Sequence, residues 1–291
     1  MYRKPDARRM SGADGIVALM LSGRRTAIRA LMVMFVGAAV VIAAIAIWAA
    51  LGKKTIRVSL CRVTVGSSQY VIDLEQAANA TTITAVGKRL DMPDHAVTVA
   101  LATALQESQL HNIDYGDRDS LGLFQQRPSQ GWGTAAQVMN PRYAAAAFFK
   151  ALARVPGWQT MPVTDAAQAV QHSNAPQAYA LWEPLARTLA IATTGETAAG
   201  LACEFPLPES TTRPASPIPA LTRELGPLSL DSPVSSARGW TIASWLVGHA
   251  DQYRITSVHF AGLQWTPRGL WAPTATNATR VQITQTPTQH K

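Results

Sequence analysis

The sequence predicts a mainly α-helical protein with one membrane-spanning helix near its N-terminus and a small α+β module near its C-terminus. Three observations lead to this fold class: an uncharged apolar run at residues 30–51, helical periodicity between residues 70 and 193, and a Trp-rich stretch at residues 239–272. Hydrophobic residues make up 47% of the 291 residues and charged residues only 15%, a balance that indicates a membrane segment.

The apolar run at residues 30–51 contains neither charge nor proline. At about 1.5 Å per residue its helix would measure roughly 33 Å, enough to cross a hydrocarbon core of about 30 Å. A buried core helix and a cleaved signal peptide are the alternatives. A core helix of this length usually has a polar face, and the apolar region of a signal peptide is shorter, at about 7–15 residues. We therefore expect an uncleaved transmembrane helix.

The basic charge of the chain is concentrated before this run. Residues 1–30 carry seven Lys or Arg and two Asp, whereas residues 52–291 carry nineteen basic and sixteen acidic residues. This bias predicts that residues 1–29 form a basic cytoplasmic tail and that the main domain lies outside the cell membrane. The remaining charge is too balanced for a surface that binds polyanions, so nucleic acid is not expected as a partner.

The two cysteines, Cys61 and Cys203, lie at the two ends of one block of sequence. Outside the membrane such a pair is expected to be oxidised, and we predict a disulfide; two unrelated buried thiols are the alternative. The block at residues 61–205 is predicted to be a helical domain. Its helices are expected to begin near Leu74 and after Pro93, and to cover residues 141–155, 165–172 and 178–193.

The chain changes character after Cys203. Residues 206–238 are rich in Pro, Ser and Thr, which is typical of an extended, semi-rigid linker. Residues 239–272 contain four Trp and are predicted to form a small module with a helix near residues 241–253 and a strand at Ile255–Phe260. Residues 273–291 are predicted to be a disordered tail.

Glu107 is the candidate catalytic residue. It follows Ala96, Ala100 and Thr103 on one ridge of an Ala-rich helical pattern, at intervals of three and four residues. Small residues on that ridge allow close packing, so the carboxyl group is expected to be half buried at the end of the helix. A surface Glu at a helix end is the alternative.

Glu107 and Ser108, followed by Gly122-Leu-Phe-Gln125, resemble the paired motifs of soluble lytic transglycosylases and goose-type lysozymes in the lysozyme-like superfamily. The resemblance implies a lysozyme-like fold in which Glu107 is the catalytic acid, with Ser108 beside it and Gln125 facing the sugar. A third motif of that family, Ala-Tyr-Asn-Ala-Gly, corresponds to His-Ser-Asn-Ala-Pro at residues 172–176. Asn174 is then a substrate-binding candidate, and Tyr179 or Tyr143 could replace the missing Tyr.

The second carboxylate is the open question of the predicted site. Asp117 and Asp119 follow Glu107 closely and could position a water molecule, although Asp and Gly also favour solvated turns. Without a second carboxylate the resemblance implies lytic transglycosylation, and with one it allows hydrolysis. Trp132 is a candidate platform for a sugar ring. The sequence indicates neither a metal site nor a cofactor.

The sequence thus leads to a membrane-anchored, extracytoplasmic enzyme that cleaves the glycan strands of peptidoglycan. The alternative is a non-catalytic protein whose lysozyme-like domain binds glycan or protein partners in the cell envelope. Transport or signalling would need a partner subunit, because only a basic tail of about 30 residues precedes the apolar run.

Overall fold

The computed structural model describes residues 32, 34, 35, 37–46, 48, 59–173, 175, 177–207, 213–275 and 277–286. The chain divides into two compact units, Met1–Ile56 and Arg57–Lys291. About half of the described residues are helical, and two small antiparallel sheets accompany them. The predicted mainly α class is confirmed at this level.

In the first unit, residues 37–46 are helical and their large apolar side chains, such as Val40, Ile42 and Ile45, are exposed. None of the helices among the described residues is both long and apolar enough to cross a membrane. The predicted span at residues 30–51 includes residues 30, 31, 33, 36, 47 and 49–51, and these lie outside the described part of the chain. The predicted cytoplasmic tail at residues 1–29 lies outside it entirely.

The second unit begins with a three-stranded sheet that packs against the helical domain. Strands β1 (Leu60–Val65) and β2 (Ser68–Ile72) form a hairpin, and β3 (Leu201–Glu204) pairs with the other edge of β1, giving the order β2-β1-β3. Cys61 lies directly opposite Cys203 in this register, and the two form a disulfide. The predicted disulfide is confirmed, and it joins the two ends of the block through neighbouring strands.

The helical domain is built around one buried helix. Helix α1 (Leu74–Arg89) begins with a capping box between Asp73 and Gln76, and helix α2 (Asp94–Ser108) follows it. Every residue of α2 from Ala96 to Leu105 is buried. Its packing partners are α1 and the helices α4 (Pro141–Leu152), α5 (Val163–Gln171) and α6 (Glu183–Thr194), with the short α3 (Ala135–Val138) lying before α4. The helices predicted in this block are confirmed, with shifts of a few residues at their ends.

The region predicted as a linker contains a packed helix. Helix α7 (Ile218–Leu225) lies against α1 and buries Leu221 and Leu225. Its apolar residues recur every three to four positions, which is the pattern of an amphipathic helix. The many prolines around it led to the prediction of an extended linker instead. The structure therefore differs from the extended linker expected over residues 206–238.

The Trp-rich module is not a separate body, because Arg57–Lys291 forms one compact unit. Helix α8 (Ser236–Gly248) packs against α1, α6 and β3, and the short α9 (Ala250–Tyr253) follows it. The indole N–H of Trp265 donates to the carbonyl oxygen of Cys203 at 3.0 Å, and that of Trp271 donates to Leu201 at 2.9 Å. These bonds fasten residues 239–272 to the strand that carries the disulfide.

The second sheet has the order β6-β5-β4-β7, with β4 (Ile255–Phe260), β5 (Leu263–Trp265), β6 (Ala272–Pro273) and β7 (Gln282–Gln285). The predicted strand at Ile255–Phe260 is confirmed. Strand β7 comes from the segment expected to be a disordered tail, and it pairs antiparallel with β4. Backbone pairing with an available strand edge orders this segment, together with the burial of Val281 and the packing of Ile283 against the core.

A buried polar cluster joins α1 to the C-terminal helices. The His249 ring stacks on Trp245 at a centroid distance of 3.9 Å, and its nitrogens lie 3.4 and 3.3 Å from the hydroxyl groups of Thr81 and Thr82. Glu224 accepts hydrogen bonds from the Trp245 indole at 2.6 Å and from the Thr82 hydroxyl at 2.9 Å. Burial lowers the pKa of His249, so the ring is held in its neutral form.

Candidate active site

Glu107 lies in the last turn of α2, where the helix emerges from the core. The two residues after the helix end, Gln109 and Leu110, have φ angles of 54° and 62°, and their N–H groups donate to the carbonyls of Leu105 and Ala104 at 3.0 and 3.1 Å. This left-handed termination turns the chain sharply and buries Leu110 completely. Glu107 is half buried. Its predicted position at the helix end is confirmed.

A short turn clamps the end of α2 through two side-chain hydrogen bonds. In the 3₁₀ turn Ala178–Trp182, the Tyr179 hydroxyl donates to Oε1 of Glu107 at 2.8 Å, and the Trp182 indole donates to Oε1 of Gln106 at 2.9 Å. Burial raises the pKa of Tyr179, and the negative charge of Glu107 raises it further. The phenol therefore keeps its proton and remains a hydrogen-bond donor to the carboxyl group.

Ser108 connects α2 to the Gly-Leu-Phe-Gln segment. Its buried hydroxyl group lies 2.8 Å from the carbonyl oxygen of Leu123 and 3.1 Å from that of Ala104. Phe124 is fully buried and stacks on Phe148 at a centroid distance of 4.8 Å. The Ser108 hydroxyl is thus engaged within the protein, and it holds the end of α2 against the Gly-Leu-Phe-Gln segment.

The segment after Ser120 forms a tight loop that presents Gln125. Gly122 has a φ of 73°, and a Cβ atom there would approach the carbonyl oxygen of Val138 to 2.5 Å, so only glycine fits. Leu121 and Gln126 exchange backbone hydrogen bonds of 3.1 Å across the loop. Gln125 has a φ of 47°, and its amide donates to the carbonyls of Gly122 and Tyr115, both at 3.2 Å. Such backbone strain is typical of functional loops.

Glu107 opens into a cleft of about 710 Å³. Of the residues predicted from the sequence, Gln125, Trp132 and Asp117 line this cleft together with Glu107. Trp132 is half buried and packs against the core. Asn174 lies outside the described residues, but its neighbours His172 and Ser173 also line the cleft.

The sequence did not single out several residues that line the cleft. Arg118, Arg127 and His172 bring basic side chains to it. Gln171 also lines it and donates to the carbonyl oxygen of Phe124 at 2.9 Å. The two arginines lie within the stretch that carries the motifs. This proximity in sequence was the only signal that could have placed them in the cleft. Gln171 comes from α5, and its contact could not be read from local sequence.

The two candidate second carboxylates differ in their surroundings. Oδ1 of Asp119 accepts from Arg127 at 2.8 Å and from the Ser129 hydroxyl at 2.9 Å, while Oδ2 accepts from the Ser129 backbone at 2.7 Å. The Ser129 backbone N–H and then the Arg127 guanidinium hold the pKa of Asp119 well below its usual range. Asp117 is exposed and pairs with Arg118 only at 3.9 Å. Asp119 thus holds Arg127, which lines the cleft, whereas Asp117 lines the cleft itself and remains open to solvent.

No protein-family model matches the chain, and no curated protein matches it significantly.

The bonds of Asp119 predict a pH-dependent contribution to stability. Because the pKa of the folded state lies below that of the unfolded chain, the stabilisation is present above the unfolded value of about 3.9 and is lost as pH falls below it. We expect Asp119→Asn to lower the thermal midpoint near neutral pH, and the difference from the parent to shrink as pH falls below about 4.

The control is Asp117→Asn, which removes a neighbouring, solvent-exposed carboxylate. Thermal unfolding of the parent and both variants, followed by circular dichroism over a range of pH, distinguishes the two positions. Equal midpoints for the two variants at neutral pH would contradict a stabilising role of the bonds between Asp119, Arg127 and Ser129.

Proposed function

We propose that this chain cleaves the glycan strands of bacterial peptidoglycan, with Glu107 as general acid and then general base. The observation that carries the proposal is the Glu107 carboxyl group, which opens into a cleft while accepting a hydrogen bond from the buried Tyr179. The resemblance of the surrounding motifs to lytic transglycosylases and goose-type lysozymes supports it. We further propose that residues 30–51 anchor the protein in the cell membrane, with the catalytic unit outside.

Glu107 would act twice in the reaction. As an acid it donates its proton to the glycosidic oxygen; the bond from that oxygen to the anomeric carbon breaks, and positive charge develops on the sugar. As a base, the resulting carboxylate then takes a proton from the nucleophile that attacks the anomeric carbon. If the nucleophile is the 6-hydroxyl group of the same sugar, the product is an anhydro ring and no water is consumed. Tyr179 would hold the carboxyl group in position for both steps.

The surroundings of the aspartates favour the anhydro-forming reaction. Hydrolysis by the two-carboxylate routes needs a second acidic group at the scissile bond, either as a base or as a nucleophile. Both oxygens of Asp119 already accept hydrogen bonds from Arg127 and Ser129. Asp117 lines the cleft but is exposed, with Arg118 beside it. We therefore propose a single-carboxylate mechanism, with hydrolysis assisted by Asp117 as the alternative.

The rest of the cleft suits a glycan substrate. Trp132 offers an aromatic face against which the apolar face of a sugar ring can stack, and Gln125 offers its amide oxygen to sugar hydroxyls. Arg118 adds positive charge, which complements the carboxyl groups of peptidoglycan. Ser108 has a supporting role in this proposal, because its hydroxyl group is engaged with the backbone.

A non-catalytic glycan-binding or scaffolding protein is the second candidate function. The observation in its favour is the departure from the family motif at residues 172–176, where Ser and Pro replace Tyr and Gly. Tyr179 argues against it, because it gives Glu107 a phenol partner from a different position in the sequence.

Replacing the acid tests catalysis directly. We expect Glu107→Gln to reduce the release of soluble muropeptides from purified peptidoglycan by at least about 100-fold, because the amide cannot donate the required proton. Glu183→Gln, a change of the same kind on the surface of α6, should retain the parent rate. Equal release by Glu107→Gln and the parent would refute the assignment of Glu107.

Removing the Tyr179 hydroxyl group tests its positioning role. A hydrogen bond to a charged group contributes about 1.5–3 kcal/mol, so we expect Tyr179→Phe to lower kcat by roughly 10- to 100-fold with little change in KM. Tyr143→Phe is the control, because Tyr143 does not line the cleft. A loss confined to KM would instead indicate that Tyr179 acts only in substrate binding.

A further inference from the structure

A second hollow, of about 280 Å³, lies between helices α1, α4 and α7. Four basic side chains surround it: Arg89 from α1, Arg142 and Lys150 from α4, and Arg223 from α7. Val86, Leu90, Tyr143 and Ala146 form the rest of its lining, which contains no carboxylate. We name this the cationic hollow; none of its residues lines the cleft that contains Glu107.

The four cations of the cationic hollow have no acidic partner in the part of the chain that the structure describes. None of them forms an ion pair with the described residues, although Lys88 and Arg62 elsewhere pair with Asp94 and Glu204. Residues 52–291 carry nineteen basic and sixteen acidic residues, so four unpaired cations in one hollow are a local concentration of charge. Like charges around a concave surface focus the field and attract a counter-ion of opposite sign. An anion in the hollow would relieve the repulsion.

The four cations are exposed side chains carried by helices. Arg142 and Lys150 are eight residues apart on α4, about two turns, and therefore lie near the same face. Arg89 and Arg223 lie in the last turns of α1 and α7, and the Arg89 guanidinium donates to the main-chain carbonyl of Arg223. This bond connects the two helix ends at the edge of the hollow. The Arg89 side chain therefore loses less freedom when an anion binds.

We infer that the cationic hollow binds a phosphate-bearing group with a short organic stem, such as a glycerol phosphate unit. Arginine guanidinium groups match phosphate oxygens with two parallel hydrogen bonds, and a lysine adds a compact positive charge. The apolar and aromatic part of the lining suits the carbon atoms next to the phosphate. The hollow is large enough for such a group but much smaller than the cleft. This binding is independent of the chemistry proposed for Glu107.

The test is a calorimetric titration of the full chain with glycerol 3-phosphate, with glycerol as the uncharged comparison. We expect saturable binding of the phosphate compound alone, weakened by about tenfold or more in the variant Arg142→Gln/Lys150→Gln. The matched control is Arg154→Gln/Arg187→Gln, which removes two exposed cations outside the hollow. Absence of binding by the parent, or an equal loss in the control, would overturn the proposal.

Two further arms distinguish the source of the phosphate group and separate this site from the cleft. Competition by phosphatidylcholine vesicles that contain phosphatidylglycerol, but not by phosphatidylcholine alone, would support a lipid headgroup. Binding of glycerol phosphate without such competition would support a soluble or polymeric phosphate. In either case Glu107→Gln should bind glycerol phosphate like the parent. Conversely, Arg142→Gln/Lys150→Gln should release muropeptides at the parent rate, if the proposed activity holds.

Discussion

The burial of helix α2 on all sides is the constraint on which the rest of the second unit depends. A helix surrounded by α1, α4, α5 and α6 must carry small or apolar residues, and from Ala96 to Leu105 it does. Only in the last turn do Gln106 and Glu107 regain partial access to solvent. The position of the carboxyl group is thus fixed by the packing of the entire helix rather than by a mobile loop. A fixed position favours the acid chemistry proposed for Glu107, because the carboxyl group is already oriented when the substrate binds.

The cleft depends on contacts that join distant parts of the chain to the end of this helix. Tyr179 and Trp182 clamp Glu107 and Gln106, and Ser108 holds the Gly-Leu-Phe-Gln loop through the carbonyl of Leu123. The disulfide and the two indole bonds to β3 tie the C-terminal segments to the same unit. These segments contribute no described side chain to the cleft lining. Their packing on α1 and α6 stabilises the helices of the domain that contains the cleft.

Local sequence was enough to predict the features that follow from periodicity and single motifs. The spacing of small residues identified α2 and placed Glu107 at its end, and the positions of Cys61 and Cys203 predicted the disulfide. Helix α7 and strand β7 were missed, because composition rich in Pro, Thr and Gln masked a short amphipathic helix and an edge strand.

The partners of the site residues could be derived from sequence only in part: the resemblance left Tyr179 and Tyr143 as alternatives, and the fold decides for Tyr179. Tyr179 lies 72 residues from Glu107 along the chain, and its hydrogen bond exists because the turn at Ala178–Trp182 packs on α2 and buries the Tyr179 ring. Asp119 differs from Asp117 in its hydrogen bonds with Ser129 and Arg127. These two residues reach Asp119 because the loop after Asp119 folds back on itself. The cationic hollow combines residues from three helices and has no local signature.

The chemical structure of the reaction products tests the central claim most directly. The full chain is incubated with purified peptidoglycan, and the soluble fraction is analysed by mass spectrometry. A single carboxylate at the end of α2 predicts muropeptides lighter by one water than the hydrolytic products, because the 6-hydroxyl group closes an anhydro ring. Products with ordinary reducing ends would contradict the single-carboxylate mechanism, and intact glycan with the protein still bound to it would contradict cleavage itself.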